Sequence, residues 1–278
     1  MTTVRAAVVQ LEAGADAEAN ARVAADAIAE AAADGARLVV LPEYSAAWAP
    51  RLSVSLAQPT DGTFAMAIRA AARTAGVHVV AGTIEPGPTA SAERVRNVAV
   101  AIGPDGSLTG RYVKVHLFDA FGTRESDVLA PGEPGPSNTL VFDVDGLTLG
   151  VATCYDLRFP EIFRTLVDGG AQAIAVIAAW AAGPGKADQL VTLARARAIE
   201  NTAYVLLASQ IGRGRAGHSL LVDPSGAVLA EADGSEPAVL CADLSTAVVE
   251  DVRRAVPSLE HRRYDVVART EARGPAQD

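Results

Sequence analysis

The sequence has little lysine, cysteine or aromatic character and no long apolar run. Its 278 residues include only two cysteines, which excludes the disulfide framework of a small secreted protein. No apolar run approaches the ~20 residues that a membrane-spanning helix needs, and the N-terminal residues lack the apolar core of a signal peptide. The net charge of −9, without a basic stripe, argues against nucleic acid as a partner. These absences predict a globular cytoplasmic protein that binds neither nucleic acid nor membrane.

Lysine is so scarce that its position is informative. Of the 24 basic residues, only Lys114 and Lys186 are lysine. Lys114 lies in RYVKVHL, inside a predicted strand over 107–117, where it shares a face with Tyr112 and His116. A buried cation is unfavourable unless it is paired or useful. A compact ammonium approaches a thiolate or an oxyanion more readily than a forked guanidinium does, so we predict a chemical role for Lys114.

The chain divides into two halves with one order of elements, β-α-β-α-β and then a hairpin. The predicted strands are 6–10, 37–43, 77–85, 97–104 and 107–117, then 147–153, 173–180, 203–209 and the hairpin 218–232. The predicted helices are 16–34, 63–75, 160–169 and 188–198. Continuous apolar strands indicate sheets covered on both faces. The sequence therefore predicts an α/β fold, an α-β-β-α sandwich of two mixed sheets with helices on both outer faces and a pseudo-twofold internal duplication. A single doubly wound sheet would leave the two hairpins unexplained.

The domain prediction is one domain over 1–250, followed by an arm over 251–278. The arm is charged and finds no place in the predicted core. It is either partly disordered or an oligomer contact.

Cys154 occupies the point where a buried strand, LTLGVAT, gives way to a helix that starts at Pro160. An isolated cysteine after an apolar strand is usually a small core residue. The residues that follow, Tyr155 to Arg158, are too polar for a deep interior, and open α/β sheets bind ligands at strand ends. We therefore predict that Cys154 is a nucleophile.

Glu43 completes a reactive set with Lys114 and Cys154. Pro42 stops the strand before Glu43, which fixes the backbone from which the carboxylate projects. Glu43 can take the thiol proton and later activate water, and Lys114 with the backbone N–H of Tyr155 can hold an oxyanion. A nearby lysine or helix N-terminus lowers a cysteine pKa from about 8.5 to roughly 3.5–7.5. We predict the same for Cys154.

Other residues have competing interpretations. His116 could form a Cys–His pair with Cys154, although Lys114 would then be unexplained. Arg158 either clamps a substrate carboxylate or pairs with Glu161, and Trp180 either walls the pocket or fills core. Cys241 is predicted to be a core residue. GRGRAG (212–217) lacks the ending of a phosphate-binding loop and leads into a strand.

Three motifs, LVVLPEY, RYVKVHLFD and CYDLRFPE, resemble in order and spacing the Glu–Lys–Cys signature of the nitrilase (carbon–nitrogen hydrolase) superfamily. Further segments are similar to its amidase-like branch, which includes the omega-amidases. The resemblance covers about residues 4–245 and implies the α-β-β-α fold, no cofactor or metal, and a homodimer or larger homo-oligomer. It also implies a second catalytic glutamate, at Glu125. Gln189 stands where omega-amidase-like members usually have an aromatic residue.

The functional prediction is a cysteine-dependent hydrolase of a non-peptide carbon–nitrogen bond. The reaction converts a small carboxamide to an acid and ammonia through a thioester acyl-enzyme. Nitrilase or N-carbamoyl hydrolase chemistry on the same residues is an alternative. A non-catalytic binding or scaffold member of the fold is another, although it would not need all four reactive residues.

Overall fold

The computed structural model describes residues 1–87 and 93–269. The strands in this part of the chain are β1 (Thr3–Gln10), β2 (Leu38–Val40), β3 (His78–Glu85), β4 (Arg96–Ile102), β5 (Leu108–Val113), β6 (Asp119–Ala120), β7 (Thr123–Arg124), β8 (Val141–Val144), β9 (Leu147–Thr153), β10 (Ala173–Ala178), β11 (Tyr204–Ser209), β12 (Leu220–Val222), β13 (Val228–Glu231) and β14 (Ala238–Ser245). The α-helices are α1 (Ala17–Ala33), α2 (Thr63–Ala75), α3 (Pro160–Asp168), α4 (Lys186–Asn201) and α5 (Thr246–Ala255).

The strands form two six-stranded mixed sheets with matching topology. The first has the order β14-β1-β2-β3-β4-β5 and the second β8-β9-β10-β11-β12-β13. Three parallel strands occupy the same places in each, β1 to β3 in one and β9 to β11 in the other. The remaining strands pair antiparallel. This correspondence agrees with the predicted internal duplication.

The sheets pack face to face, and helices cover their outer faces. Side chains alternate across a strand, so Val40 of β2 faces the second sheet while Val39 faces the helices. Ile28 of α1 and Phe64 of α2 pack on the outer face of the first sheet. Phe163 of α3 packs in the same way on the second, together with residues of α4. Strands buried on both faces need apolar residues at every position, which explains the unbroken runs that predicted the sandwich.

Local sequence signals fix the helix ends. Asp16 caps α1 by accepting hydrogen bonds from the N–H groups of Glu18 and Ala19, at 2.9 and 3.2 Å. Gly76 ends α2 in the left-handed conformation at φ 65°, and Pro160 is the first residue of α3. Most predicted elements therefore fall within a few residues of the observed ones. The prediction for α4 was too short, because the helix runs from Lys186 to Asn201.

Three elements that complete the sheets and the C-terminal region were not predicted. β8 pairs antiparallel with β9, and β14 pairs antiparallel with β1. A strand from near the end of the chain therefore forms one edge of the first sheet. α5 crosses the predicted domain boundary at residue 250, and 251–255 is helical. Residues 256–269 contain neither helix nor strand, and the end of the predicted arm, 270–278, lies outside the described residues. Among the described residues, no helix has the length and apolarity needed to cross a bilayer.

Candidate active site

Lys114 is buried between two carboxylates. Its Nζ lies 2.9 Å from Glu43 Oε1 and 2.9 Å from Glu125 Oε2, and its side chain is 1% exposed. Burial alone would lower the pKa of Lys114, but the charges of Glu125 and Glu43 outweigh it and raise that pKa well above its usual value. Lys114 was predicted inside a strand, yet β5 ends one residue earlier, at Val113. The chain turns away there, although the Lys114 N–H still donates to the Asn97 carbonyl at 2.9 Å.

Both oxygens of Glu43 are hydrogen bonded. Oε1 accepts from Lys114 and, at 2.7 Å, from Nδ2 of Asn97, while Oε2 accepts from the backbone N–H of Ala179 at 2.8 Å. Ala179 directly follows β10, so the second half of the chain helps to hold a carboxylate from the first. The Glu43 carbonyl also accepts from Nε2 of Gln210 at 2.6 Å. These contacts fix the carboxylate at the seam between the sheets.

Gly82 of β3 allows the backbone of Glu43 to come close. A Cβ atom at this position would lie 2.5 Å from Glu43 Cα and 2.6 Å from the Tyr44 nitrogen. Tyr44 itself adopts φ 58°, a conformation that is unfavourable for a bulky residue. The turn that presents Glu43 therefore depends on a glycine from the neighbouring strand.

Glu125 is held from two sides in addition to Lys114. Its Oε1 accepts from the Tyr44 hydroxyl at 2.9 Å and its Oε2 from the Phe118 N–H at 2.7 Å. Burial would raise the pKa of Glu125, but the Lys114 ammonium and these hydrogen bonds lower it below its usual value. Glu125 is therefore a fixed carboxylate that orients the Lys114 ammonium.

Cys154 begins a 3₁₀ helix, Cys154–Arg158, directly after β9. Its φ is 48°, a left-handed conformation that costs about 1–3 kcal/mol in a non-glycine residue. Burial raises the pKa of Cys154 well above its usual value, the negative charges of Glu43 and Glu125 add to this, and Lys114 only partly opposes them. The prediction of a lowered pKa was therefore wrong, because burial and two carboxylates outweigh the single ammonium. The thiol rests in its neutral form.

Asp156 joins the Cys154 turn to the Lys114 segment. Its Oδ2 accepts from the Tyr112 hydroxyl at 2.8 Å and the Thr153 N–H at 2.9 Å, and its Oδ1 lies 2.7 Å from Nδ1 of His116. The residues after Cys154 were predicted to be too polar for the interior, but Asp156 is 0% exposed because these donors replace water. His116 is therefore paired with Asp156, an arrangement different from the Cys–His pair considered from the sequence.

A cavity of about 990 Å³ opens onto these groups. Six of the predicted site residues line it: Glu43, Glu125, Cys154, Tyr155, Arg158 and Trp180. Lys114 lies behind this lining, where it contacts both carboxylates. The N–H groups of the first residues of a helix have no partner within it, so the Tyr155 N–H is suited to receive negative charge beside Cys154. In residues 1–87 and 93–269, no group of three or more His, Cys, Asp or Glu side chains is arranged to hold a metal ion.

Arg158 contacts Gln189 and Trp180, and in the described part of the chain it forms no ion pair with Glu161. Its Nη2 donates to Gln189 Oε1 at 2.7 Å, and its guanidinium lies 4.9 Å from the centre of the Trp180 ring. Trp180 is buried, and its Nε1 donates to the Lys186 carbonyl at 2.9 Å. Gln189, noted in the sequence as a departure from the family pattern, therefore orients the guanidinium.

The second cysteine, Cys241, lies in β14 and packs at the edge of the cluster between the first sheet and its helices. Cys241 was predicted to be a core residue, but it is only half-buried. Burial and the nearby Asp34 carboxylate raise the pKa of Cys241 to about 11.

The sequence interpretation missed the buried polar residues that support the site. Asn97, Asp156 and Gln210 all hydrogen bond to the reactive residues or their turns. Asn97 and Gln210 adjoin the apolar runs of β4 and β11. A polar residue beside a buried strand could have identified both of them as supporting residues from the sequence. Asp156 carried no such signal, because its side-chain partners Tyr112 and His116 are distant in the chain.

Comparison with known proteins places the chain in a family. The carbon–nitrogen hydrolase family model matches residues 5–254. Deaminated glutathione amidase of Escherichia coli O157:H7 is 35% identical over 89% of this chain and 92% of its own length, and human omega-amidase NIT2 is 30% identical over 96% and 98%. A glutamate-to-glutamine mutant of an amidase from Nesterenkonia sp. AN1, which shows covalent addition of the acetamide moiety of fluoroacetamide at the active site cysteine, superimposes with a TM-score of 0.76 at 27% identity, over 94% of each chain. The chain therefore belongs to the carbon–nitrogen hydrolase family of the nitrilase superfamily.

Proposed function

We propose that this protein is a cysteine-dependent amidase that converts a carboxamide to an acid and ammonia or an amine. The observation that carries the proposal is that Cys154 and Glu43 line one cavity, with Lys114 directly behind this lining in contact with Glu43. The amidase relatives support the same chemistry. Membership of the family alone leaves the type of carbon–nitrogen bond open.

Acylation begins with a neutral thiol. As Cys154 Sγ attacks the amide carbon, its proton passes to the Glu43 carboxylate, and the carbonyl oxygen becomes an oxyanion. Glu43 then gives that proton to the departing nitrogen, the C–N bond breaks, and the acyl group remains on Cys154 as a thioester. The raised pKa of the thiol suits this sequence, because the proton leaves only when substrate is in place.

Deacylation repeats the steps with water. Glu43 takes a proton from a water molecule as it attacks the thioester carbon, and the tetrahedral intermediate collapses to release the acid. The proton returns to Cys154, which restores the resting thiol. Glu43 therefore acts as base and acid in both halves of the reaction, without a cofactor.

Lys114 and the Tyr155 N–H stabilise the oxyanion. An ammonium has three N–H donors, so the pairs with Glu43 and Glu125 leave one donor for the substrate oxygen. Losing one oxyanion donor typically reduces the rate ~10²–10³-fold. Glu125 keeps the Lys114 ammonium charged and aimed, which makes Glu125 a positioning residue until contact with substrate is demonstrated.

Arg158 gives the acyl site a preference for a carboxylate. Its guanidinium is oriented by Gln189 and Trp180 and faces the cavity that contains Cys154. An oriented guanidinium binds a carboxylate with two parallel hydrogen bonds. We therefore propose a short acyl group that ends in a carboxylate, walled by Trp180. The expected homo-oligomer and cytoplasmic location remain part of this proposal.

The test is ammonia release from a panel of small amides, nitriles and carbamoyl compounds, with mass spectrometry of the quenched enzyme. We expect release from amides and an acyl adduct on Cys154. Cys154→Ala should abolish both, and the matched control Cys241→Ala should abolish neither. An adduct on Cys241, or ammonia from Cys154→Ala, would overturn the assignment. No turnover of any compound by the folded protein would favour a binding or scaffold role.

A further inference from the structure

Both tryptophans of the chain line the cavity, and the guanidinium of an arginine lies over each indole ring. Arg158 lies over Trp180, and Arg215 lies over Trp48 with 3.5 Å between the guanidinium carbon and the ring centre. An indole face attracts and orients a cation. The proposed function uses Arg158 but gives no role to Arg215.

Arg215 contacts little that would neutralise its charge. Its Nη1 donates to the Gly214 carbonyl at 3.1 Å, and its Nε is buried without a hydrogen-bond partner in the described part of the chain. An indole face and one carbonyl do not replace the hydration of a guanidinium, and a buried donor without an acceptor is unfavourable. An anionic group bound in the cavity would supply the missing acceptor.

The loop GRGRAG holds Arg215 in place. Gly212 and Gly217 adopt φ 97° and 63°, and a Cβ atom would collide with Glu12 at the first and with the Gly234 backbone at the second. The loop is also joined to the end of the second sheet, because the Ala216 N–H donates to the Trp180 carbonyl at 2.9 Å. The arginine is therefore presented by a fixed backbone, and binding an anion requires little reordering.

Arg215 lies on the Glu43 side of the cavity. Its guanidinium lies over Trp48, whose ring centre is 5.6 Å from that of Tyr44, the residue that follows Glu43. In the proposed reaction Glu43 gives its proton to the departing nitrogen, so the amine portion of the substrate also lies on this side. The cavity, at about 990 Å³, is at the upper end of the ~300–1,000 Å³ that drug-sized ligands occupy. It has room for more than ammonia as the leaving group.

We propose that Arg215 binds a carboxylate in the amine portion of the substrate, which makes the preferred substrate a secondary amide of an amino acid. This inference rests on the proposed function. The C–N bond breaks, the nitrogen receives its proton from Glu43, the acyl group stays on Cys154, and an acidic amine leaves in place of ammonia. Arg158 and Arg215 then recognise the two ends of a dianionic amide.

The test compares two amides that differ only in the carboxylate of the amine portion, N-glutarylglycine, which has it, and N-methylglutaramate, which lacks it. Their dissociation constants are measured by calorimetry with the intact-fold variant Cys154→Ala, which binds without turnover. We expect Arg215→Gln in that background to weaken N-glutarylglycine binding about 10- to 100-fold, since a charged hydrogen bond contributes ~1.5–3 kcal/mol. N-methylglutaramate binding should change less than about 3-fold. Arg215→Lys should recover part of the loss, because the charge returns without the fork.

Arg22→Gln is the matched control, because Arg22 lies on the exposed face of α1 and pairs with Glu18. It removes one positive charge far from the cavity and should change neither constant, and melting curves of each variant check the fold. Equal weakening of both amides by Arg215→Gln would overturn the inference. So would equal affinity of Cys154→Ala for the two amides, a comparison that needs no change at Arg215. Failure of the proposed function is a separate result, the absence of Cys154-dependent hydrolysis in the unmodified enzyme.

Discussion

Lys114 Nζ and Glu43 Oε1 lie 2.9 Å apart in the interior, and each side chain is only 1% exposed. Glu125 contacts the same ammonium, so the buried cluster contains two carboxylates and one cation and carries one net negative charge. Burial, together with this negative charge, raises the pKa of the Cys154 thiol. Four testable predictions follow from the geometry around this cluster.

Glu43→Gln should lower the pKa of the Cys154 thiol while it abolishes most turnover. The substitution removes the neighbouring charge that, after burial, does most to raise this pKa, so thiolate should form at lower pH than in the unmodified protein. The rate should nevertheless fall roughly 10²–10⁴-fold, because the proton acceptor is lost.

The measurement is thiolate absorbance near 240 nm against pH in a Cys241→Ala background, with single-turnover acylation in parallel. Cys241 has to be removed because its own pKa of about 11 would overlap the titration. An unchanged or higher titration midpoint in Glu43→Gln would contradict the electrostatic account. Near-normal acylation would contradict the role of Glu43 as base.

Lys114→Arg should keep the positive charge and still lose activity. A guanidinium is larger and planar, and Lys114 is enclosed by Glu43 and Glu125 at 2.9 Å. We expect acylation to slow ~10²-fold or more, as for loss of an oxyanion donor. Single-turnover kinetics with a saturating amide measure this. An acylation rate within a few-fold of the unmodified enzyme would show that charge alone is sufficient.

Arg158→Lys should impair anionic amides selectively. Lysine retains a charge but loses the fork, the contact with Gln189 and the planar contact with Trp180. We expect KM to rise roughly tenfold for an amide with a carboxylate in its acyl portion, and to change little for a neutral amide of equal length. Steady-state kinetics on the two amides test this, and equal effects would mean that Arg158 is structural.

Gly82→Ala should disrupt the site through the backbone of Glu43. The added Cβ would lie 2.5 Å from Glu43 Cα, so Glu43 and its turn must move. A small displacement of a reacting group can reduce the rate ~10²-fold. Gly14→Ala is the matched control, because a Cβ there meets nothing within 4 Å. Full activity of Gly82→Ala, or equal loss in the control, would argue against this role for Gly82.

The layers of the fold, and the residues that the structure brings together at the candidate site, could be predicted because they depend on local patterns. Apolar strands such as LVV and AIAVIA require cover on both faces, and Cys154 stands at a visible change from strand to helix. β14 could not be placed in the same way. It pairs with β1 across more than two hundred residues of chain, and its half-exposed residues show no strong pattern.

The electrostatics of the site escaped prediction for a different reason. A lysine near a cysteine lowers the cysteine pKa in general, but here the sign depends on the count of charges that surround both. Asp156 shows the same limit, since its burial is possible only because Tyr112, Thr153 and His116 provide partners. The charges and hydrogen-bond partners that surround a buried group are known only from the folded structure.

The raised pKa of the Cys154 thiol also bears on how this enzyme withstands oxidants. Peroxides attack the thiolate, the form from which sulfenic and then irreversible sulfinic acids arise. An enzyme that holds its nucleophile as a buried neutral thiol exposes little of that form between turnovers. Burial and the charge imbalance that raise the pKa of this thiol would therefore also protect the idle candidate site from oxidative inactivation.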